Sequence, residues 1–389
     1  MIYIITTETF PYGLAATQRI KCYAKSVVEL GYTCKVICVN RCENPVKPLG
    51  NVNAKGVIDG YQYQYIGGSS LIQKGWRNSL NQLVDTLRLV AVMLFSFTRK
   101  DKVILYSYNP VLLTLVVAIS IIKGYKVYFE LNEHPSVLHS LFKVQGETLP
   151  DLIRIKRRLK GLDGMLCISS SLKDLLCRCG ISEEKVFIVN MLVDASRFAE
   201  IQKEDKEPYI GYCGAADNNK DGVDQLIKAF SKVHNQLPDL KLYIMGPKAT
   251  NSNNEELVRE LGIEGSIVFT GMINSDLMPQ MLKNATILAL DRPQSIQAQY
   301  GFPTKLGEYL LTGNPVVVTS VGDVPQFLKD GESAYLVEPD NVEAFALKLE
   351  FVLSHPDESK QIGQNGREVA LKYFSGKQIM SQLKAAMSL

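Results

Sequence analysis

The chain holds one Trp, four His and eight Cys, and what those few residues fail to form is informative. No CxxC pair and no Cys/His group at zinc spacing occurs, so there is no signature of a structural metal. Cys34, Cys38 and Cys42 lie four apart, but residues 32–39 read as a strand, which is not expected to bring the three to one face. Buried thiols in a reducing cytosol are the expectation. No Asp-x-Asp metal motif and no low-complexity tract is present. The longest apolar run, residues 111–122, is interrupted by Thr114 and Ser120. A membrane span needs about 20 residues, so this run is expected as a buried helix. The start, Met1-Ile2-Tyr3-Ile4-Ile5-Thr6, has no basic region before Glu8 and does not read as a signal peptide. Net charge is only +3 and aromatics do not interleave with basic residues, which argues against a nucleic-acid partner.

What is present points to an ordinary globular chain: 389 residues, 46% hydrophobic and 21% charged, a length that suggests two domains. The most informative stretch is Gly301-Phe302-Pro303-Thr304-Lys305-Leu306-Gly307-Glu308-Tyr309-Leu310, followed by Gly313-Asn314-Pro315-Val316-Val317-Val318-Thr319. It reads as a loop, a helix start and a buried strand. Pro303 suits the first helical position, where a missing N–H costs nothing. Lys305 then falls in the first turn, where a cation opposes the helix dipole unless an anion binds there. Glu308 follows Thr304 by one turn on the same face, placed to accept hydrogen bonds from a ribose diol. Together these features suggest a nucleotide diphosphate. The plainer reading is a surface helix with a Lys305–Glu308 pair, but Lys before Glu is the weaker orientation.

Strands and helices alternate along the chain. Short apolar strands are expected at 2–6, 33–39, 61–66, 103–108, 126–131, 165–168 and 186–189, with a helix ending near Leu30 at Gly31 and a long helix over 74–99. The polar stretch 195–208, with Gln202-Lys203-Glu204-Asp205-Lys206-Glu207-Pro208, reads as an interdomain linker. Alternation resumes with strands at 209–213, 240–245, 266–270, 286–290 and 315–319, and helices at 223–236, 254–261, 275–284, 303–311, 342–353, 358–372 and 377–387. The expected architecture is α/β, with two Rossmann-like doubly wound parallel-sheet domains facing a cleft that takes the ligand.

These residues carry a family resemblance. The chain resembles the retaining glycosyltransferases of the GT-B fold, family 4 (glycosyl transferases group 1). The G-F-(P/G)-x-K-x-x-E run and following G-x-P-V-V appear as Gly301 to Glu308 and Gly313 to Val317. The opening of the second domain appears as Tyr212-Cys213-Gly214 with Lys220-Asp221-Gly222. Phe269-Thr270-Gly271 and Val193-Asp194-Ala195-Ser196-Arg197-Phe198 match two further elements. The resemblance implies an acceptor-side domain over 1–195, to which the helix at about 373–389 returns, and a nucleotide-sugar domain over 196–372. Glu308 resembles the glutamate that holds the donor ribose. Thr304 and Lys305, in the run from Phe302 through Pro303 to Leu306, resemble the diphosphate cradle. Lys220 resembles the lysine reaching the same phosphates from the opposite loop, beside Gly214. Met272 and Ile273 resemble the stretch that packs on the base. Gly13, beside Ala15 and Ala16, would let backbone approach the donor phosphates. In Glu130-Leu131-Asn132-Glu133-His134-Pro135, His134 or Glu133 is expected to orient the acceptor or bind the donor sugar, joining Lys220 and Lys305 as the catalytic set.

Two features depart from the family. Tyr300 stands where a second glutamate is usual, eight residues before Glu308, which puts the sugar's identity and the level of catalysis in question. Ala215 and Ala216 stand where an Arg is usual, so the diphosphate leans on Lys220 and Lys305. The resemblance implies front-face displacement with retention, a nucleotide-diphosphate sugar as co-substrate, no metal, and a glycan or lipid-linked acceptor in polysaccharide assembly. Arg154, Lys156, Arg157, Arg158 and Lys160 read either as a solvated helix face or as contact with an anionic membrane, with Trp76 as an interfacial anchor. The expected location is cytoplasmic, peripheral on the inner membrane face. The rival readings are a weakly catalytic nucleotide-sugar-binding subunit, motivated by Tyr300 and Ala215, and a nucleotide-sugar 2-epimerase, which four His in total make poorly equipped.

Overall fold

A computed structural model describes residues 1–44, 50–204, 206–249 and 252–389. In chain order the elements are β1 (Ile2–Thr6), α1 (Ala15–Glu29), β2 (Cys34–Cys38), β3 (Lys55–Ile58), β4 (Tyr61–Tyr65), α2 (Trp76–Ser96), β5 (Lys102–Tyr106), α3 (Pro110–Lys123), β6 (Lys126–Leu131), α4 (His139–Phe142), α5 (Leu149–Arg158), β7 (Gly164–Cys167), α6 (Ser170–Arg178) and β8 (Val186–Ile188). They continue as β9 (Tyr209–Cys213), α7 (Asn218–Asp221), α8 (Val223–His234), β10 (Lys241–Met245), α9 (Asn254–Glu260), β11 (Ile267–Gly271), α10 (Met278–Asn284), β12 (Ile287–Leu290), α11 (Ile296–Tyr300), α12 (Thr304–Leu311), β13 (Val316–Thr319), α13 (Val324–Phe327), β14 (Tyr335–Val337), α14 (Val342–Ser354), α15 (Pro356–Tyr373) and α16 (Gly376–Met387).

Two compact units result. The first comprises Met1–Asn190 with Gly376–Leu389, and the second Met191–Ser375. In the first, an eight-stranded sheet runs β3-β4-β2-β1-β5-β6-β7-β8. Its centre, β1, is buried along its whole length and pairs in parallel with β2 and β5. That is why Ile2-Tyr3-Ile4-Ile5 is a continuous apolar run and not an alternating one. β4 alternates instead, with Tyr61, Tyr63 and Tyr65 buried. α16 packs on α1 and on β7 and β8.

The second unit has a six-stranded sheet in the order β11-β10-β9-β12-β13-β14. The chain winds outward from β9 through β10 to β11, then starts again on the other side of β9 with β12. The order therefore reverses between β9 and β12, and the carboxyl ends of these two strands form a topological switch point.

The structure corrects several expectations. β3 and β14 lie in stretches not read as strands. β3 pairs antiparallel with β4 across Asp59-Gly60, both at positive φ, the hairpin turn that an Asp-Gly pair favours. Residues 111–122 form most of α3, but Val111, Ile121 and Ile122 are exposed, so the helix is buried on one side only. Cys34 and Cys38 do share one face of β2, because strand side chains repeat every two residues. Cys42 lies beyond the strand, with Sγ 2.7 Å from Tyr65 OH.

The charged stretch after Ala195 is not a free linker. Ala195–Phe198 is a 3₁₀ turn, Lys203 Nζ donates to Ala285 O, and Glu204 N donates to Asn284 Oδ1, all within the second unit. Asp205 in that stretch lies outside the described residues. Composition marked it as a linker, but its polar groups are hydrogen-bonded to the unit they flank.

Candidate functional site

Charged side chains collect at the switch point of the second unit. α12 begins at Thr304 with Pro303 as its N-cap residue, one position earlier than the first helical turn. Lys305 thus sits in the first turn. Across from it, α7 is capped by Asp217, whose side chain accepts from Asn219 N and Lys220 N. The helix stops at Gly222, held at φ +59. A Cβ there would stand 1.9 Å from Asp291 O, so any other residue would push apart the ends of α7 and β12.

This geometry presents Asp221 to Lys305. Lys305 Nζ is hydrogen-bonded to Asp221 Oδ2 and lies 3.2 Å from Tyr212 OH, which itself lies 2.8 Å from the same carboxylate oxygen. Behind them, buried Arg292 approaches Asp221 Oδ1 at 3.8 Å and donates to Lys220 O and Gln297 O, each at 3.3 Å. Burial works to raise the Asp221 carboxyl, but Lys305, Arg292 and the Tyr212 hydroxyl hold it below its ordinary value. Gly214 makes room for the lysine: a Cβ there would lie 2.4 Å from Lys305 Nζ.

One turn further along α12, Glu308 Oε1 accepts from Arg197 Nη1, and Arg197 Nη2 donates to Ser275 O at 2.7 Å. Burial raises the Glu308 carboxyl more than Arg197 lowers it. Gly307 permits this pairing, since a Cβ would stand 2.4 Å from Met191 and 2.5 Å from Val193, the segment that leads to Arg197. The Lys305–Glu308 pair considered from sequence does not form; each charge has a partner from another element. Cys213, at the end of β9, lies between the two pairs. Its thiol is pushed up to about 12, by burial first, and feels the charges of Lys305, Glu308, Arg197 and Asp221.

The other expected donor residues divide. Thr304 and Lys220 are half-buried at this cluster, and Tyr300 is half-buried at the end of α11. Met272 is exposed and Ile273 half-buried just after Gly271, which ends β11 at φ +68. Phe302 and Leu306 are corrections. Phe302 is buried against the rings of Phe327 and Phe374, at 5.7 and 5.5 Å, and Leu306 is wholly buried, so both side chains belong to the core.

The remaining expected residues belong to the first unit. Gly13 is a true close approach, because a Cβ would stand 2.2 Å from the hydroxyls of both Thr9 and Thr17. Glu133 is half-buried. The His134 ring is buried, with Nδ1 accepting from Ser136 N at 3.1 Å and Nε2 3.4 Å from Glu147 Oε1. Burial lowers its pKa, against the pull of Glu147. The ring is therefore a buried group of its own unit, in the segment after β6 expected to orient the acceptor or bind the donor sugar.

Sequence reasoning assigned no role to Arg197, Asp221 or Arg292. The first two sit inside motifs that had been singled out, Val193 to Phe198 and Lys220-Asp221-Gly222, but their partners are about 80 to 110 positions away in sequence, beyond the reach of local pattern. Arg292 had no sequence signal.

Asp291 is the electrostatic oddity beside this cluster. It is buried, neither carboxylate oxygen has a hydrogen-bond partner among the described residues, and its pKa is raised to about 7 by burial, with Asp340 and Asp224 adding to the effect. A folded-state pKa above the unfolded value means the folded protein holds the proton longer. Stability is then lost as pH rises from about 4 to about 7. Asp291→Asn is expected to leave stability nearly unchanged at pH 4 and to raise it by up to about 4 kcal/mol above pH 7. Thermal melts of both proteins across this range check it; a constant difference would rule the ionisation out as the cause.

The fold has solved counterparts. The chain aligns over its full length, covering 99% of its counterpart, with the structure of Anabaena Alr3699/HepE in complex with UDP and glucose, at TM-score 0.73 and 16% identity. Two parallel-sheet α/β units of this kind are the GT-B fold. The sequence match is more specific: residues 194–369, within the second unit, match the model described as glycosyl transferases group 1. The chain is also similar to an MMP alpha-(1->4)-mannosyltransferase of Mycolicibacterium hassiacum, 27% identical over 232 residues, covering 59% of this chain and 55% of the relative. It is 26% identical over 153 residues to a GDP-mannose-dependent alpha-(1-6)-phosphatidylinositol monomannoside mannosyltransferase of Mycolicibacterium smegmatis, covering 39% of this chain and 40% of the relative. The matches span about half the length of these curated relatives.

Proposed function

We propose that the protein is a retaining, metal-independent glycosyltransferase of family 4. It would move a sugar from a nucleotide-diphosphate sugar to a glycan or lipid-linked acceptor, in cell-surface polysaccharide assembly at the cytoplasmic side of the membrane. The observation that carries this reading is the pair of charge couples, Lys305–Asp221 and Glu308–Arg197, on successive turns of α12 at the end of β9. They lie within the residues that match the glycosyl transferases group 1 model, at the place where doubly wound sheets bind ligands.

In this reading Asp221 holds Lys305 Nζ in place for the donor phosphates, and the α12 N-terminus adds its first-turn N–H groups. Lys220 approaches from α7, whose backbone Asp217 and Arg292 fix. These charges compensate the phosphates without Mg²⁺. Arg197 occupies Glu308 Oε1, and a ribose hydroxyl would donate to Oε2. The base would lie along Met272 and Ile273, and Tyr300 would face the sugar. Chemistry is a front-face displacement: the sugar–phosphate bond breaks, the acceptor oxygen bonds to the same face of the anomeric carbon, and a departing phosphate oxygen takes the acceptor proton. Stabilising the leaving-group charge is then the largest contribution from the protein. His134 would act by fixing the loop that carries Glu133. The lipid acceptor named for the phosphatidylinositol monomannoside mannosyltransferase supports a lipid-linked acceptor here.

The test is a thermal-shift and donor-hydrolysis screen of UDP-, GDP- and ADP-sugars, with Glu308→Ala alongside. One donor should raise the melting temperature and be slowly hydrolysed, with both effects lost in the variant. Stabilisation without hydrolysis or transfer would indicate a binding subunit instead.

A further inference from the structure

The first unit carries a face that its own packing leaves open. α2 turns Trp76, Leu80, Leu83 and Leu87 to solvent in one stripe opposite its buried Asp85, Leu89 and Met93, and exposes Phe95 on the flank of that stripe in its last turn. Trp76 is 72% exposed and Phe95 87%. α3 packs beside α2 and exposes Val111, Ile121 and Ile122. Lys123 Nζ donates to Leu94 O at 2.7 Å, which joins the C-terminal turns of the two helices and puts Phe95, Ile121 and Ile122 at the same end. α5 comes next, with Arg158 Nη1 3.4 Å from Thr114 Oγ1 of α3, and it exposes Leu149 and Ile153. Single exposed apolar side chains are ordinary; apolar exposure shared by two packed helices and bordered by a third is not.

Charge indicates what covers it. The only carboxylates on α2, α3 and α5 are Asp85 and Asp151. Both are buried, Asp85 paired with Arg41 and Asp151 with Arg154. Every other charged residue on the three helices is cationic, from Arg77 to Arg158, and exposed Arg99, Lys100 and Lys160 extend the set. A second copy of this face would bring cations against cations, because a two-fold interface pairs a patch with itself. An anionic lipid surface suits both features: apolar side chains enter the boundary of headgroups and acyl chains while Lys and Arg meet lipid phosphates. No helix among the described residues is long and apolar enough to cross a membrane, so the geometry is that of lying on the surface.

We propose that the α2–α3–α5 face docks on an anionic lipid bilayer. This rests on and deepens the membrane placement in the transfer reading, and it names the surface that would make the contact. It makes the basic run of α5 the edge of a larger surface whose apolar centre is on α2 and α3. The test uses the full chain and large unilamellar vesicles of phosphatidylcholine, either pure or with about a third phosphatidylglycerol. Co-flotation is expected with the anionic vesicles at low salt, weakening as salt rises, and little with the neutral ones. Phe95→Ser with Ile122→Ser is expected to reduce partitioning by on the order of tenfold with the melting temperature unchanged, since both side chains are exposed. Arg157→Glu with Lys160→Glu is expected to reduce it by at least about tenfold, given roughly fivefold per basic residue. Absence of binding to anionic vesicles at low salt overturns the proposal, as does binding undiminished in both double variants. Light scattering that shows a dimer dissolved by Phe95→Ser with Ile122→Ser, with no vesicle binding, would make the face a self-interface and also overturns it. The assay contains no nucleotide, so its failure and that of the transfer reading are distinguishable.

Discussion

Lys305→Ala is expected to lower kcat/KM for sugar transfer by about 10²–10³, on the scale of removing one preorganised donor to developing charge. Lys305 is the cation of the α12 first turn, and its position is held by Asp221 and Tyr212 together. The loss should fall mainly on kcat, because leaving-group charge grows as the sugar–phosphate bond breaks. Truncation also leaves buried Asp221 with Arg292 as its remaining cation, at 3.8 Å, so some stability is lost as well. Lys305→Arg separates the two effects: it restores charge beside Asp221, but the planar guanidinium cannot reproduce the single Nζ position next to Gly214. It is therefore expected to recover melting temperature more than kcat. A folded Lys305→Ala protein with kcat/KM within about twofold of the parent would mean that Lys305 does not stabilise the leaving group.

Glu130→Ala is expected to destabilise the first unit by about 3–5 kcal/mol. Glu130 on β6 is wholly buried. Its Oε1 accepts from Arg19 Nε at 2.6 Å and its Oε2 from Tyr23 OH at 2.7 Å. Arg19, on α1, spends its other nitrogens on Asn190 O and Val189 O, the last residues of the unit before the chain leaves it. Removing the carboxylate leaves a buried guanidinium without its counter-charge. Replacing both partners at once, by Arg19→Met with Glu130→Leu, is expected to recover only part of the loss: no unpaired charge remains, but Tyr23 OH and the carbonyls of Val189 and Asn190 lose their partners. Urea denaturation with a probe of the first unit checks both variants, and equal losses in the single and double variants would show that the two residues are not coupled.

Both predictions concern pairs whose members the sequence displays and does not connect. Glu130 was visible only as part of an acidic segment at a strand end, and α12 only as a helix with an ill-placed lysine and a glutamate one turn later. Burial of Glu130 follows from its place on a central strand with helices over the sheet, and Arg19 reaches it from 111 residues away. Asp221 reaches Lys305 from 84 residues away, Arg197 reaches Glu308 from 111.

What the sequence by itself determined is local or periodic. Continuous apolar runs made parallel strands buried on two faces, as in β1 and β12. Glycine at a helix end stopped α1 at Gly31, where φ is +84. The order of the Gly301 to Glu308 run and its flanking motifs identified the second unit's class before any coordinates. The tertiary structure decided the rest. It assigned Phe302 and Leu306 to the core, took His134 into the interior of its unit, and bonded the charged stretch after Ala195 to the second unit. It also left one side of α3 open, although its sequence is apolar nearly all round. The physical reason is the same in each case. Spacing along the chain sets which residues share a face, but which element lies against that face, and whether one does at all, is set by strand order and helix crossover, and these join residues far apart in sequence.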